Sequence, residues 1–162
     1  MRNILLAAII AVFPCFNAQA GNFSIPIDQT VVKKALADGV SMDDAVESMK
    51  LRANLLNVKL VAEMPLSKQV EAMGETSHRI EIYQFCDPLV AMHMVEADIN
   101  FAAYLPCRIA VVEDDKGQGW LIMMNPDMLL NSAALTGELM EQAVHVRNNL
   151  LEIMEAGANG DL

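Results

Sequence analysis

Two cysteines are the chain's best candidates for chemistry, and they lie in Phe85-Cys86-Asp87-Pro88 and Leu105-Pro106-Cys107-Arg108. Cys86 is expected where a strand ends and a helix begins, and a helix N-terminus favours a thiolate and lowers a thiol pKa. Arg108 beside Cys107 would favour an anion as well. Three interpretations stay open: a structural disulfide, two inert buried thiols, or a reactive or ligand-binding pair. The sequence has no Cys-x-x-Cys, the usual arrangement of a redox catalyst.

Soft ligand atoms follow the first cysteine, in Met92-His93-Met94. Thiolate and thioether sulfurs suit Cu(I), so Cys86, Cys107, Met92 and His93 are candidate metal ligands. Methionine also fills irregular cores, and consecutive helical residues point in different directions. No spaced zinc-ligand motif, Gly-x-Ser-x-Gly or phosphate loop occurs. The sequence therefore requires no cofactor and contains no recognised catalytic motif.

Residues 1–20 have the features of a secretory signal peptide. A short basic start precedes the apolar run 4–13, which is too short to span a bilayer. Ala18-Gln19-Ala20 matches the small-x-small pattern for cleavage after Ala20. We therefore expect an exported protein, periplasmic if the source is Gram-negative, without a stable membrane anchor. Cysteines can be oxidised in that compartment.

The chain is acidic, with 21 Asp and Glu against 11 Lys and Arg and a formal charge of -10. This charge repels nucleic acid and anionic membrane surfaces, so no nucleic-acid partner is expected. The apolar content of 54% is sufficient for a buried core. We expect a flexible segment at 21–29, one domain at 30–156 and a frayed tail at 157–162.

The hydrophobic pattern predicts an α+β fold: a small antiparallel sheet with helices packed on one face and a long C-terminal helix. Residues 79–85 alternate polar and apolar side chains, as in a half-buried strand. Residues 107–112 and 120–124 flank an acidic turn, which predicts a hairpin. Residues 30–37 are ambiguous between helix and strand, and Asn125-Pro126-Asp127 predicts a turn.

Helix signals occur at three main places along the chain. Ser41 followed by Asp44 is a capping pattern before an apolar periodicity. Pro88 suits the first position of a helix that continues through Ala97. Residues 136–155 place their apolar side chains on one face, which predicts a long helix ending near Gly157.

These motifs resemble the domain of unknown function 302 family, over about residues 30–155. The elements that match are Cys86 with Pro88 and Leu105-Pro106-Cys107, followed by the hairpin. The resemblance implies a small α+β domain that is often dimeric, and hence a homodimer here. It brings no established activity.

Three functions follow from these residues. The first is a non-catalytic binding or accessory module, whose partner is a protein or small molecule and whose site includes Cys86, Pro88, His93, Pro106, Cys107 and Arg108. The second is a thiol-based redox protein or sulfur carrier, in which Cys86 is the reactive thiol and Cys107 resolves it. The third is a copper binder. Because catalytic motifs are missing, we expect a binding protein rather than an enzyme.

Overall fold

The computed structural model describes residues 24–161, so the expected signal peptide and its cleavage site lie outside the described residues. The strands are β1 (Val31–Ala35), β2 (Lys59–Met64), β3 (Ile80–Cys86), β4 (Cys107–Glu113) and β5 (Gly119–Met124). They form one antiparallel sheet in the order β1-β5-β4-β3-β2. A β-bulge between Leu60 and Ala62 interrupts the pairing of the edge strand β2 with β3.

The helices are α1 (Met42–Leu55), α2 (Leu66–Ala72), α3 (Pro88–Ala97), α4 (Pro126–Ser132) and α5 (Gly137–Asn159). Two 3-10 helices, Ile27–Thr30 and Ile99–Tyr104, precede β1 and β4. The expected capping box is present at the start of α1: the Ser41 hydroxyl accepts from the Asp44 amide, and the Asp44 carboxylate accepts from the Ser41 amide. This exchange satisfies two amides that the first turn leaves without helical partners.

The core lies between the sheet and the helix pair α1 and α5. Phe85, Ile109 and Leu121 point from three neighbouring strands toward the helices and are fully buried, as the strand alternation requires. Gly157 lets α5 approach α1 closely, because a Cβ there would lie 2.5 Å from the Met49 Cγ and 3.1 Å from the Ala45 carbonyl oxygen. The helix pair thereby closes one face of the sheet.

The opposite face of the sheet carries the alternate residues of each strand. Ile82, Ala110 and Ile122 are register partners across β3, β4 and β5 and are partly exposed. At the end of the β4–β5 hairpin, the Asp114 carboxylate accepts hydrogen bonds from the Lys116 and Gln118 amides and from the Trp120 indole. The acidic turn is therefore organised by an aspartate that binds backbone amides.

The structure confirms the expected α+β fold, with its antiparallel sheet and long C-terminal helix. The ambiguous segment 30–37 contains β1, which pairs with β5. The C-terminal helix is longer than expected: it continues through Asn159 because Gly157 and Ala158 are buried against the core, and it ends at Gly160 in the left-handed conformation. The expected turn at Asn125-Pro126-Asp127 is instead the start of α4, with Asn125 as the N-cap.

Candidate functional site

Cys86 and Cys107 lie at one end of the sheet, on neighbouring strands. Cys86 ends β3 and Cys107 begins β4. Cys107 is the register partner of Phe85, so Cys86 lies one residue beyond that pair. Both are partly buried free thiols. The strands thus bring together the two cysteines that the sequence separates.

The sequence-based expectation of a lowered thiol pKa at Cys86 is wrong. Asp87, rather than Cys86, caps α3: its Oδ1 accepts from the Leu89 and Val90 amides at 3.1 and 3.2 Å. Burial raises the pKa of Cys86, and the neighbouring Asp87 carboxylate raises it further. The carboxylate at the cap thus opposes the thiolate that a bare helix N-terminus would favour.

The pKa of the Cys107 thiol is also raised, and by more than that of Cys86. Burial, together with the nearby Cys86, raises the pKa of Cys107 from 9.0 to about 11, and Arg108 offsets only part of this. Both cysteines are therefore overwhelmingly protonated at neutral pH, because the thiolate is the costly form in a poorly hydrated site.

Both thiols line an apolar pocket of about 100 Å³. Helices α3, α4 and α5 and the 3-10 helix before β4 supply its other walls. The apolar lining residues are Val90, Ala91, Met94, Phe101, Tyr104, Leu105, Pro126, Leu129, Leu130, Leu135, Ala143, Val146 and Leu150. Small-molecule sites are typically concave and apolar with a few polar groups, which is the character of this pocket.

Two charged side chains, Asp87 and Arg147, line the same pocket. The Asp87 carboxylate is engaged by the α3 amides. The Nε atom of Arg147, a residue of α5, lies 3.1 Å from Oδ1 of Asp127, which is at the start of α4. Its Nη1 donates to Asn148 Oδ1 at 3.1 Å. One cationic group therefore lies beside the otherwise apolar walls.

The other predicted site residues do not line this pocket. Pro88 begins α3 and is exposed, and Arg108 is exposed on β4. Pro106 precedes Cys107 and follows a cis peptide bond from Leu105, which itself lines the pocket. His93 lies with its Nδ1 3.1 Å from Gln142 Oε1, and Met92 is exposed. Of the methionines in the Met92-His93-Met94 segment, the pocket includes Met94.

We did not predict from the sequence that Arg147 lines the pocket, nor that α4 forms one of the pocket walls. Arg147 lies far along the chain from the cysteines, on a helix whose pattern shows its core-facing side but not its neighbours at the pocket. The α4 wall had a usable signal: Asn125 followed by Pro126 and Asp127 combines an N-cap, a first-position proline and an acidic first turn.

Other site types have less support in the structure. Within residues 24–161, no group of three or more His, Cys, Asp and Glu side chains is arranged to hold a metal ion. A second, more open depression of about 350 Å³ lies by the C-terminal end of α1 and contains neither cysteine. Among the helices of this same segment, none has the length and apolarity to cross a membrane.

Comparison with known proteins agrees with the fold described above. The crystal structure of an uncharacterized conserved protein DUF302 from Bacillus stearothermophilus superposes with a TM-score of 0.67 at 16% sequence identity, covering 78% of this chain and 97% of that one. At this identity the likeness concerns the fold alone. No curated protein matches the chain. The model of the family described as domain of unknown function DUF302 matches residues 32–157, and the chain therefore belongs to that family.

Proposed function

We propose that the protein is a non-catalytic binding module, which holds a small apolar molecule in the pocket beside Cys86 and Cys107. The observation that carries this proposal is the convergence of three helices and two strand ends on one apolar concavity. A pocket of about 100 Å³ limits the buried part of a ligand to a single ring or a short alkyl chain at most, since an apolar cavity of about 150 Å³ is of the size that binds benzene.

Benzene, a neutral single-ring probe whose binding is followed by calorimetry, tests this proposal. Ala143 lines the pocket, so Ala143→Trp should fill it and reduce probe affinity at least about tenfold, which corresponds to about 1.4 kcal/mol. Ala97→Trp is the matched control, because Ala97 is an exposed residue of α3 outside the pocket. Equal probe binding by wild type and both variants would contradict the proposal.

Copper binding is a second candidate, favoured by a specific observation. Three sulfur-containing side chains, Cys86, Cys107 and Met94, line the same pocket, and Met94 is buried. Cu(I) prefers thiolate and thioether ligands, and metal binding can displace thiol protons. Titration with Cu(I) against a competing chelator should show weaker binding in Cys86→Ser and Met94→Leu than in Met92→Leu. Equal affinities in the three variants would exclude this candidate.

A thiol-based redox or sulfur-carrier function has weaker support. Such chemistry needs a nucleophilic thiolate, whereas the pKa values of both thiols are raised. A thiol assay on native protein separates this function from simple binding: slow, burial-limited reaction of both cysteines favours the binding module.

We further propose that the protein is exported and homodimeric. The composition of residues 1–20 supports export, and N-terminal sequencing of the secreted protein should begin at Gly21. The partly exposed row of Ile82, Ala110 and Ile122 supports a dimer through the sheet face opposite the helices. Sedimentation equilibrium should give a dimer mass for the wild type and a monomer mass for Ile122→Lys, and a wild-type monomer would refute the dimer.

A further inference from the structure

We propose that the ligand of the pocket is a small apolar monocarboxylic acid, and that Arg147 binds its carboxylate. This inference deepens the proposed function and rests on it, because it assigns a chemical class to the molecule that the pocket holds. In this arrangement the alkyl chain or ring lies against the apolar walls and the carboxylate lies beside the guanidinium.

The first argument is the hydrogen-bonding capacity of the pocket's charged groups. Within the described chain, Asp87 and Arg147 are the charged side chains that line it. Asp87 already accepts from two helix amides, at 3.1 and 3.2 Å. A carboxylate also cannot donate to an incoming anion. Arg147 is consequently the charged group with donors to offer a ligand.

The second argument is the incomplete bonding of Arg147 itself. Its Nε is shielded from solvent and makes no hydrogen bond. Asp127 Oδ1 is 3.1 Å away, but the N–H group does not point toward it. A guanidinium carries five N–H donors, of which Nη1 engages Asn148. A shielded N–H without an acceptor is unfavourable, but a ligand in the pocket cannot reach that buried atom. Within residues 24–161, Nη2 makes no hydrogen bond and is not shielded, so its donors can bind a ligand oxygen.

The third argument is the match between guanidinium and carboxylate. The planar fork of arginine donates two parallel hydrogen bonds to a carboxylate. The side chain of Arg147 is 31% exposed, so the carboxylate can stay partly hydrated at the pocket mouth. The nearby carboxylates of Asp87 and Asp127 would repel a dianion more than a monoanion. The pocket volume of about 100 Å³ limits the apolar part to a short chain or a ring.

Displacement of bound benzene by hexanoate and by hexan-1-ol, followed by calorimetry, tests the inference at neutral pH. The two molecules share an alkyl chain and differ in charge. We expect hexanoate to compete at least about tenfold better than hexan-1-ol with the wild type. In Arg147→Gln this preference should disappear, while the alcohol competes as before. Asp127→Asn should strengthen hexanoate binding, because it removes a competing anion near Arg147.

The outcomes separate the two proposals. If the probe binds but hexanoate competes no better than hexan-1-ol, the carboxylate inference is overturned and the apolar binding module stands. If neither molecule displaces bound probe, the assigned ligand class is wrong. If the probe does not bind, the proposed function fails and this inference fails with it. Should Arg147→Gln not fold, unchanged hexanoate affinity in Asp127→Asn overturns the role of Arg147.

Discussion

Burial of Cys107 should make the protein less stable at alkaline pH. The pKa of its thiol is raised to about 11, against an ordinary value of 9.0. Between these values the unfolded chain loses the thiol proton and the folded chain keeps it. Unfolding then releases a proton, so the free energy of unfolding falls as pH rises. The stabilisation is complete below pH 9.0 and is lost as the pH approaches about 11.

The size of the effect follows from the two pKa values. One pKa unit corresponds to about 1.36 kcal/mol, so the full difference between 9.0 and about 11 is about 2.7 kcal/mol. At pH 10.5 an unfolded thiol is almost wholly ionised while most of the folded thiol remains protonated. The loss relative to pH 8 is then about 2 kcal/mol.

Urea unfolding of the reduced protein at pH 8 and pH 10.5 measures this loss. Other groups also titrate in this range, so the informative quantity is the difference between wild type and Cys107→Ala. Wild type should lose about 2 kcal/mol more than the variant over this interval. Parallel pH profiles would refute the reasoning, because they would mean that the folded and unfolded thiols have the same pKa.

Alkylation of Cys86→Ala by iodoacetamide checks the same group without unfolding the chain. Burial, the largest cause of the raised pKa of Cys107, is still present in this variant, whereas the contribution of Cys86 is removed. At pH 9.0 about half of the denatured thiol is thiolate, so the native thiol should react more slowly than the denatured one. Equal native and denatured rates would contradict the burial of this thiol.

Three further substitutions test the elements that position the site. Gly157→Ala should destabilise the protein by about 1–3 kcal/mol in urea unfolding, since its Cβ would overlap Met49; an increase in stability would mean that α1 and α5 separate easily. Asp87→Ala should lower the free energy of unfolding by about 1 kcal/mol, because α3 loses its N-cap, and Asp87→Asn should lower it much less, because asparagine also caps helices. Equal decreases in the two variants would assign the effect to the charge of Asp87. Asp114→Ala should shift the emission of Trp120, the single tryptophan, because the indole loses its 2.8 Å hydrogen-bond acceptor; an unchanged spectrum would argue against that contact in solution.

Much of the fold could be predicted because its signals are local. The alternation of polar and apolar side chains at residues 79–85 indicates a strand with one buried face, and the Ser41–Asp44 pair indicates the start of a helix. The segment 30–37 stayed ambiguous because β1 is defined by its pairing with β5, which a local pattern does not contain. The helix end also differed, because burial of Gly157 against α1 extends α5 beyond the glycine.

The candidate site could be predicted only in part. Cys86 and Cys107 could be identified from their residue type and from their expected places at a strand end and a strand start. Arg147 could not be identified, because its place in the pocket depends on how α5 packs. The predicted decrease in the Cys86 pKa was wrong, because the helix-dipole argument left out two effects that raise it. These are the burial of the thiol and the Asp87 carboxylate, which accepts hydrogen bonds from the α3 amides.

The connection between β3 and β4 has a consequence for how relatives can diverge. Antiparallel neighbours can be joined by a two-residue turn, yet residues 87–106 carry α3 and a 3-10 helix and supply much of the pocket wall. The sheet register does not need this segment to have its present length or composition. If the proposed binding function is correct, natural variation in this segment would change the bound molecule while the sheet and α5 stay constant, and ligand choice would evolve separately from folding.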